Sequence, residues 1–275
     1  MSSLRNTYRT AALTWVLLPI FALAGCRQTL MPSMDPPTMN PTGSWQVVLH
    51  DVVSPDGYVN YDALQRSQKT LNQYVRFIAT PDAWRNARPT ERVSDWVNAY
   101  NALVMYQVLE RNRPASVLDV RGWIPLPGAG FFVETQFQLG KTKLSLAEIE
   151  HERVRLSHMD YRVHAALNCA SMSCPPMRRD LYSHRGFALQ LREQMTRWMD
   201  DPRGFQIDGE QILFNPIFDW YARDFHFWSA GQDLCEIAST YVTGRRGRRL
   251  QEAAQQGCPY GFFEYDWTLN DVSNR

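Results

Sequence analysis

An apolar run, Ala11–Ala24, sits directly behind Arg5 and Arg9 and is interrupted by Pro19. It is shorter than the roughly 20 residues that a membrane-spanning helix needs. Basic residues, a short apolar stretch and small residues at its end are the layout of an export signal. The folding problem therefore belongs to what remains once residues 1–25 are removed, in a compartment where thiols can oxidise. That remainder is long enough for one sizeable core. Its supply of rings is large, with nine Trp, twelve Tyr and thirteen Phe in the chain. The formal charge is +1, from 29 Lys and Arg against 28 Asp and Glu, so no global field favours nucleic acid as a partner. At 44% apolar and 21% charged residues the chain is not a disordered one.

The signal ends in Leu23-Ala24-Gly25-Cys26, which looks like a bacterial lipobox. Cleavage before Cys26 leaves that residue at the new N-terminus, with lipid on its thiol. Arg27 follows, without the Asp that would suggest inner-membrane retention. The expected partner is thus a lipid bilayer, and the expected location is the cell envelope, at the periplasmic face of the outer membrane. Residues 26–43, rich in Pro, Ser, Thr and Met, read as a flexible tether. Residues 44–275 read as one globular domain.

Periodicity predicts an α+β fold, a helix-rich single domain with β-hairpins. A helix from Asp62 carries Leu64, Leu71, Tyr74, Val75 and Ile78 on one face and ends at Thr80-Pro81. Another, capped by Thr90, runs to about Asn112 with an apolar stripe from Val93 to Val108. Asn98 and Asn101 sit inside it, one turn apart, where Asn is a poor helix former. They either tie down neighbouring loops or line a pocket. Phe131–Leu144 reads as a hairpin about Gly140, and Phe205–Phe214 as a second about Asp208-Gly209. Ser145 and Glu148 form a capping box opening a helix that holds Glu150 and His151. Val163–Cys169 has the length of a short strand. Helices follow from Ser183 to Met199, from Asn215-Pro216 to Phe225, over Asp233–Val242 and over Arg248–Gln255, with a last strand in Phe262–Trp267. No strict βαβ alternation, glycine-rich phosphate loop or Gly-x-Ser-x-Gly elbow is present, and no cofactor is expected.

The segment His164 to Pro176 concentrates the chemistry: one His, two Cys, an Asn and two Ser. It supports three readings. Cys174 is a candidate nucleophile, in a loop before two prolines, with His164 or His151 as base and Glu150 beside His151. Asn98 or Asn101 would orient the base or help an oxyanion hole. Alternatively, Cys169, Cys174, Cys235 and Cys258 form disulfides, for which three pairings exist and Cys169–Cys174 with Cys235–Cys258 is the local one. The third reading is zinc on Cys169, Cys174, His164 and His151. The Cys-x4-Cys spacing is longer than the usual ligand pair, and no metal is expected. Asp219 or Asp224 is a candidate third member orienting a His. Arg245–Arg249 reads as a solvated helix face. His158, His184 and His226 read as surface or packing residues.

Six ordered blocks carry a resemblance. They are Asp56–Tyr61, Trp96–Leu103, Leu144–His151, His164–Pro176, Ile217–Phe225 and Tyr265–Asn270. With them the chain resembles the domain-of-unknown-function 547 family, although Asn60 stands where Asp is the commoner residue. The residues at its motif positions are Asn98, Asn101, Glu150, His151, His164, Cys169, Ser171, Ser173, Cys174 and Pro175. Such domains look distantly like papain- or transglutaminase-type cysteine hydrolases, and the family's function is not established. The resemblance and the residues together leave two expectations. One is a thiol-dependent hydrolase or transferase acting on a peptide or amide. The other is a non-catalytic envelope binding or scaffold domain with a structural Cys169–Cys174 disulfide.

The lipobox reading is checked by mass spectrometry of the exported protein. The mature N-terminal peptide should begin at Cys26 and carry diacylglycerol. Cys26→Ser should move the protein out of the detergent fraction.

Overall fold

The computed structural model describes residues 27–35, 37, 41–85 and 92–275. The export signal, Cys26 and the Thr90 cap lie outside the described residues. Within them, no helix is long and apolar enough to cross a membrane.

The fold is α+β and organised around one helix. β1 (Thr29–Leu30), α1 (Thr42–Val52), α2 (Tyr61–Arg66) and α3 (Gln68–Ile78) lead into α4 (Val93–Glu110). The predicted stripe underestimates α4, since 15 of its 18 residues are buried. A helix covered on every face is a core element rather than a surface one. α3 packs on it and α1 packs on α3, in one core that holds Trp45, Tyr61 of α2, Leu71 and Tyr74, and Trp45 stacks on Tyr74 at 5.7 Å. The apolar face expected from Leu64 to Ile78 is buried, but the helix breaks at Ser67 into α2 and α3.

A sheet of order β1-β2-β3 follows, with the hairpin strands β2 (Gln136–Leu139) and β3 (Thr142–Ser145). Its first predicted part, Phe131 to Glu134, is instead a wide helical turn, with Gln107 of α4 donating to the Phe131 carbonyl. The Ser145–Glu148 capping box forms as expected and opens α5 (Leu146–Glu148). The chain then widens into a π-helical stretch, Ile149–Arg155, before α6 (Leu156–His158). Such wide turns are frequent at functional sites.

The second layer contains α7 (Phe187–Asp200), the hairpin β4 (Phe205–Asp208) and β5 (Gln211–Phe214), and four helices. These are α8 (Ile217–Trp220), α9 (Ala222–Trp228), α10 (Leu234–Ser239) and α11 (Gly244–Gln255). β6 (Tyr260–Phe262) joins β5 in parallel. The last strand is thus shorter and earlier than Phe262–Trp267. α7 begins one turn after Ser183, whose hydroxyl accepts from Gly186 N–H. A second core, with Trp198 stacked on Phe218 at 4.8 Å, fills this layer.

Val163–Cys169 is not a strand. Tyr161–Ala165 is a 3-10 turn capped by Asp160, and irregular backbone follows. Ala165 belongs to the second core while Ala166 and Leu167 belong to the first, so this segment is the seam between them. A short apolar run buried from both sides looks alike whether strand or coil.

The predicted tether also begins earlier to fold. Thr29–Leu30 pairs in parallel with Gln136–Phe137, and Arg27 bridges to Glu148 at 3.1 Å. Backbone groups left open on the edge of β2 provide this docking site.

Cys235 and Cys258 are joined, both buried, and tie α10 to the chain beyond α11. Replacing both by Ser should cost about 3 kcal/mol, read as a lower midpoint in urea, with a slope that does not fall because the unfolded chain loses its cross-link.

Candidate functional site

The seam segment is held by asparagines. Asn101 donates to the Ala166 carbonyl at 2.9 Å and accepts from Asn168 N–H at 3.0 Å. Asn98 does the same for the two backbone groups of Tyr182, at 2.8 and 3.1 Å. Both amides are thereby engaged at both ends, which leaves neither aimed at a substrate. Asn168 receives Ala170 N–H and the Asn270 amide, and donates to the Pro175 carbonyl. Ala170 is held in the left-handed region at φ +64°. That conformation costs a non-glycine residue of the order of 1–2 kcal/mol and persists only where neighbours enforce it.

Beyond this frame lies a cluster drawn from the wide turn, the seam, α4 and the start of α9. His164 Nε2 meets Asp224 Oδ2 of α9 at 2.9 Å, and Arg155 Nε of the wide turn reaches the same oxygen at 2.8 Å. Arg155 Nη1 is 2.9 Å from His151 Nδ1. The Tyr221 ring lies 4.1 Å from the His164 ring, and the Arg155 guanidinium is 4.6 Å from the Tyr221 ring centroid. Glu150 accepts from the hydroxyls of Tyr221 and Tyr100, the latter at 3.5 Å.

Charge in this cluster follows from burial. Desolvation pushes the His164 imidazole below its ordinary range, an effect that Asp224 only partly offsets. Burial would raise Asp224, but hydrogen bonds from His164 and Arg155 outweigh it and hold the carboxyl low. His164 is thus neutral and donates from Nε2 to an ionised Asp224, itself paired with Arg155. Tyr100 and Tyr221 are pushed far up, first by burial and then by the Glu150 carboxylate. Both remain hydroxyl donors.

The sulfurs form a second cluster. Cys169 and Cys174 are bonded to each other. Cys174 is 1% exposed, whereas Cys169 is partly open. The Cys169 N–H points at Cys174 Sγ from 2.8 Å. Ser171 Oγ donates to Tyr265 Oη at 2.8 Å, and Tyr265 Oη lies 3.3 Å from Cys169 Sγ and 3.5 Å from Cys174 Sγ. Burial raises the Tyr265 phenol, with Glu150 adding to the rise, so it too stays protonated.

The structure therefore unites the sequence-derived residues in two groups. Glu150, His151 and His164 share one, and Cys169 and Cys174 the other. Among the described residues no hydrogen bond joins either imidazole to sulfur. Asp224, not the exposed Asp219, orients His164. Arg155, Tyr221, Tyr100 and Tyr265 were not singled out by sequence. Arg155 is four residues after His151, the spacing of neighbours on a helical face, and the tyrosines lie in or beside the quoted blocks. The metal quartet does not assemble. Among the described residues only Asp233, Cys235 and Cys258 stand close enough for a shared ion, and there the sulfurs are bonded together while Asp233 caps α10. A shallow groove lined by Ala115, Ser116 and residues 264–268 exposes the Tyr265 edge of the sulfur cluster.

Residues 84–199 match the model of a protein family described as a protein of unknown function, DUF547. This supports the resemblance read from the motif blocks, and the match spans Asn98 to Cys174. No curated protein and no solved structure matches the chain.

The buried His164 sets an acid limit. An unfolded imidazole takes up a proton near pH 6.5, and an unfolded Asp carboxyl near pH 3.8. In the folded protein both hold out to lower pH. The unfolded state thus binds more protons, and stability present above pH 6.5 drains as pH falls below it. His158, lowered by its own burial, adds to the trend. Melting temperatures from pH 7.5 to 4.5 should fall less steeply for His164→Gln than for the unaltered protein; equal slopes would contradict a neutral His164.

Proposed function

We propose that the protein is a lipid-anchored domain of the bacterial cell envelope that acts, in its oxidised form, as a binding domain rather than a hydrolase. One observation carries the binding part. Cys174, the candidate nucleophile, is buried and bonded to Cys169, while His164 is held by Asp224 and both helix asparagines by backbone. Thiol catalysis requires a thiolate within reach of a base, and neither condition is met. Support for the envelope part remains the export signal and Cys26.

The groove supplies the ligand class. Tyr265 and Trp267 present ring surface, with Trp220 stacked on Trp267 at 5.5 Å, and Glu264 and Asp266 are exposed at its rim. Aromatic faces beside carboxylates suit a cationic group carried on a peptide or amide. The thiol hydrolase or transferase reading requires the reduced form. What favours it is the pair of donors, Cys169 N–H and Tyr265 O–H, at the Cys174 sulfur.

An electrophilic peptide that traps cysteine hydrolases decides between the two. Unreduced protein should show no label on Cys174, and the Cys169→Ser, Cys174→Ser double variant should lose about 2 kcal/mol of stability. Labelling of Cys174 without reductant would overturn the binding reading.

A further inference from the structure

We propose that the Cys169–Cys174 cystine is a thiol–disulfide exchange centre, opened and closed by a dithiol partner while the domain stays folded. This goes beyond ligand binding and holds whether or not the groove takes a peptide.

The two cystines of the chain differ in the ways that exchange chemistry needs. At Cys235–Cys258 both residues are buried, with no open face for an attacking thiolate. At Cys169–Cys174 one residue, Cys169, is partly open and the other is buried. Attack is thereby directed to Cys169, and Cys174 is the leaving group. A leaving thiolate departs faster the more its charge is stabilised. Cys174 Sγ has the Cys169 N–H at 2.8 Å and the Tyr265 hydroxyl at 3.5 Å, and Ser171 polarises that hydroxyl by donating to it. Hydrogen bonds to the charged form favour it.

The loop also keeps its shape without the sulfur bond. Met172 N–H donates to Thr268, Ser173 N–H to Asp266 and Asn270 N–H to Ala170. Asp266 N–H returns to Ser173 Oγ, and the Asn215 amide holds the Ser173 carbonyl. The cystine closes a loop of five residues' separation, against 23 at Cys235–Cys258, so opening it releases less chain entropy than opening the other. A fold held in this way can cycle between cystine and dithiol.

The exchange balances as follows. A partner thiolate attacks Cys169 Sγ, the S–S bond breaks, and its electron pair leaves on Cys174 Sγ beside Tyr265. The partner's second thiol, deprotonated, attacks its own sulfur in the mixed disulfide and releases Cys169. Two electrons and two protons pass from the partner dithiol, which becomes a disulfide, to Cys169 and Cys174, which become thiols. In the reverse reaction the Cys169 and Cys174 thiols reduce the partner's disulfide and the cystine forms again.

The test uses the oxidised mature protein and dithiothreitol as the dithiol. Thiols are alkylated at intervals and located by mass spectrometry, with near-ultraviolet circular dichroism followed in parallel. Cys169 and Cys174 should become alkylated with one equivalent of dithiothreitol oxidised, while Cys235 and Cys258 stay paired and the dichroism persists. Tyr265→Phe should slow the opening roughly threefold at a comparable melting temperature. In Cys174→Ser, the remaining Cys169 should form a mixed disulfide with oxidised glutathione. The proposal is overturned if the Cys169–Cys174 bond stays closed until the dichroism is lost, if both cystines open together, or if Cys169 in Cys174→Ser captures no glutathione.

Discussion

Five asparagine side chains close the backbone of a segment that belongs to neither helix nor sheet. From Ala166 to Met177 the chain runs largely buried between two apolar cores, where an unpaired N–H or C=O costs about 1–3 kcal/mol. Asn98 and Asn101 of α4 reach it from one side, Asn215 and Asn270 from the other, and Asn168 from within. Asn270 is in turn fixed by the Tyr61 hydroxyl at 2.9 Å. Without these amides the two cores would have no common boundary to pack against. The sulfur loop, the left-handed Ala170 and the position of His164 all follow from that boundary.

The charged cluster depends on the same frame in another way. Arg155 and Asp224 are 16% and 9% exposed, and an ion pair so placed recovers its desolvation cost only when its remaining hydrogen-bond positions are filled. His164 fills one on Asp224, and His151 and the Tyr221 ring flank the guanidinium. The partners are drawn from the wide turn after α5, the seam, and the stretch from the α8–α9 junction into α9. The polar network thus locks these parts of the molecule together. A buried network of this size is more often kept for chemistry or recognition than for stability.

How much of this the sequence reveals depends on the kind of signal involved. Local signals were legible: the capping box at Ser145, both hairpin turns and the apolar face from Leu64 to Ile78. So was the resemblance to the family whose model matches residues 84–199, and so was a carboxylate, Asp219 or Asp224, orienting a His. Signals that depend on what covers a residue were not. Val163–Cys169 has strand composition but is paired by side chains, which no periodicity encodes. Tyr100, Tyr221 and Tyr265 read as core rings because burial and hydroxyl bonding leave the same mark on a sequence. Asn98 and Asn101 announced a purpose without disclosing which, since a pocket-lining amide and a backbone-bridging one are spelled alike. Residues 26–43 read as a tether because a two-residue strand has too little pattern to register.

That small strand has a mechanical meaning. Arg27 is bound to Glu148, the Gln28 carbonyl accepts from Gln136 N–H, and the Gln28 side chain accepts from Arg111. For a chain anchored at Cys26, a single peptide link separates the anchor from the folded surface. Any pull on the lipid is met first by one ion pair, next by a few hydrogen bonds shared with α4, and then by the edge of a three-stranded sheet. Load from the membrane would enter the domain as a graded series of small ruptures, beginning at the corner farthest along the chain from the cystine that closes α11.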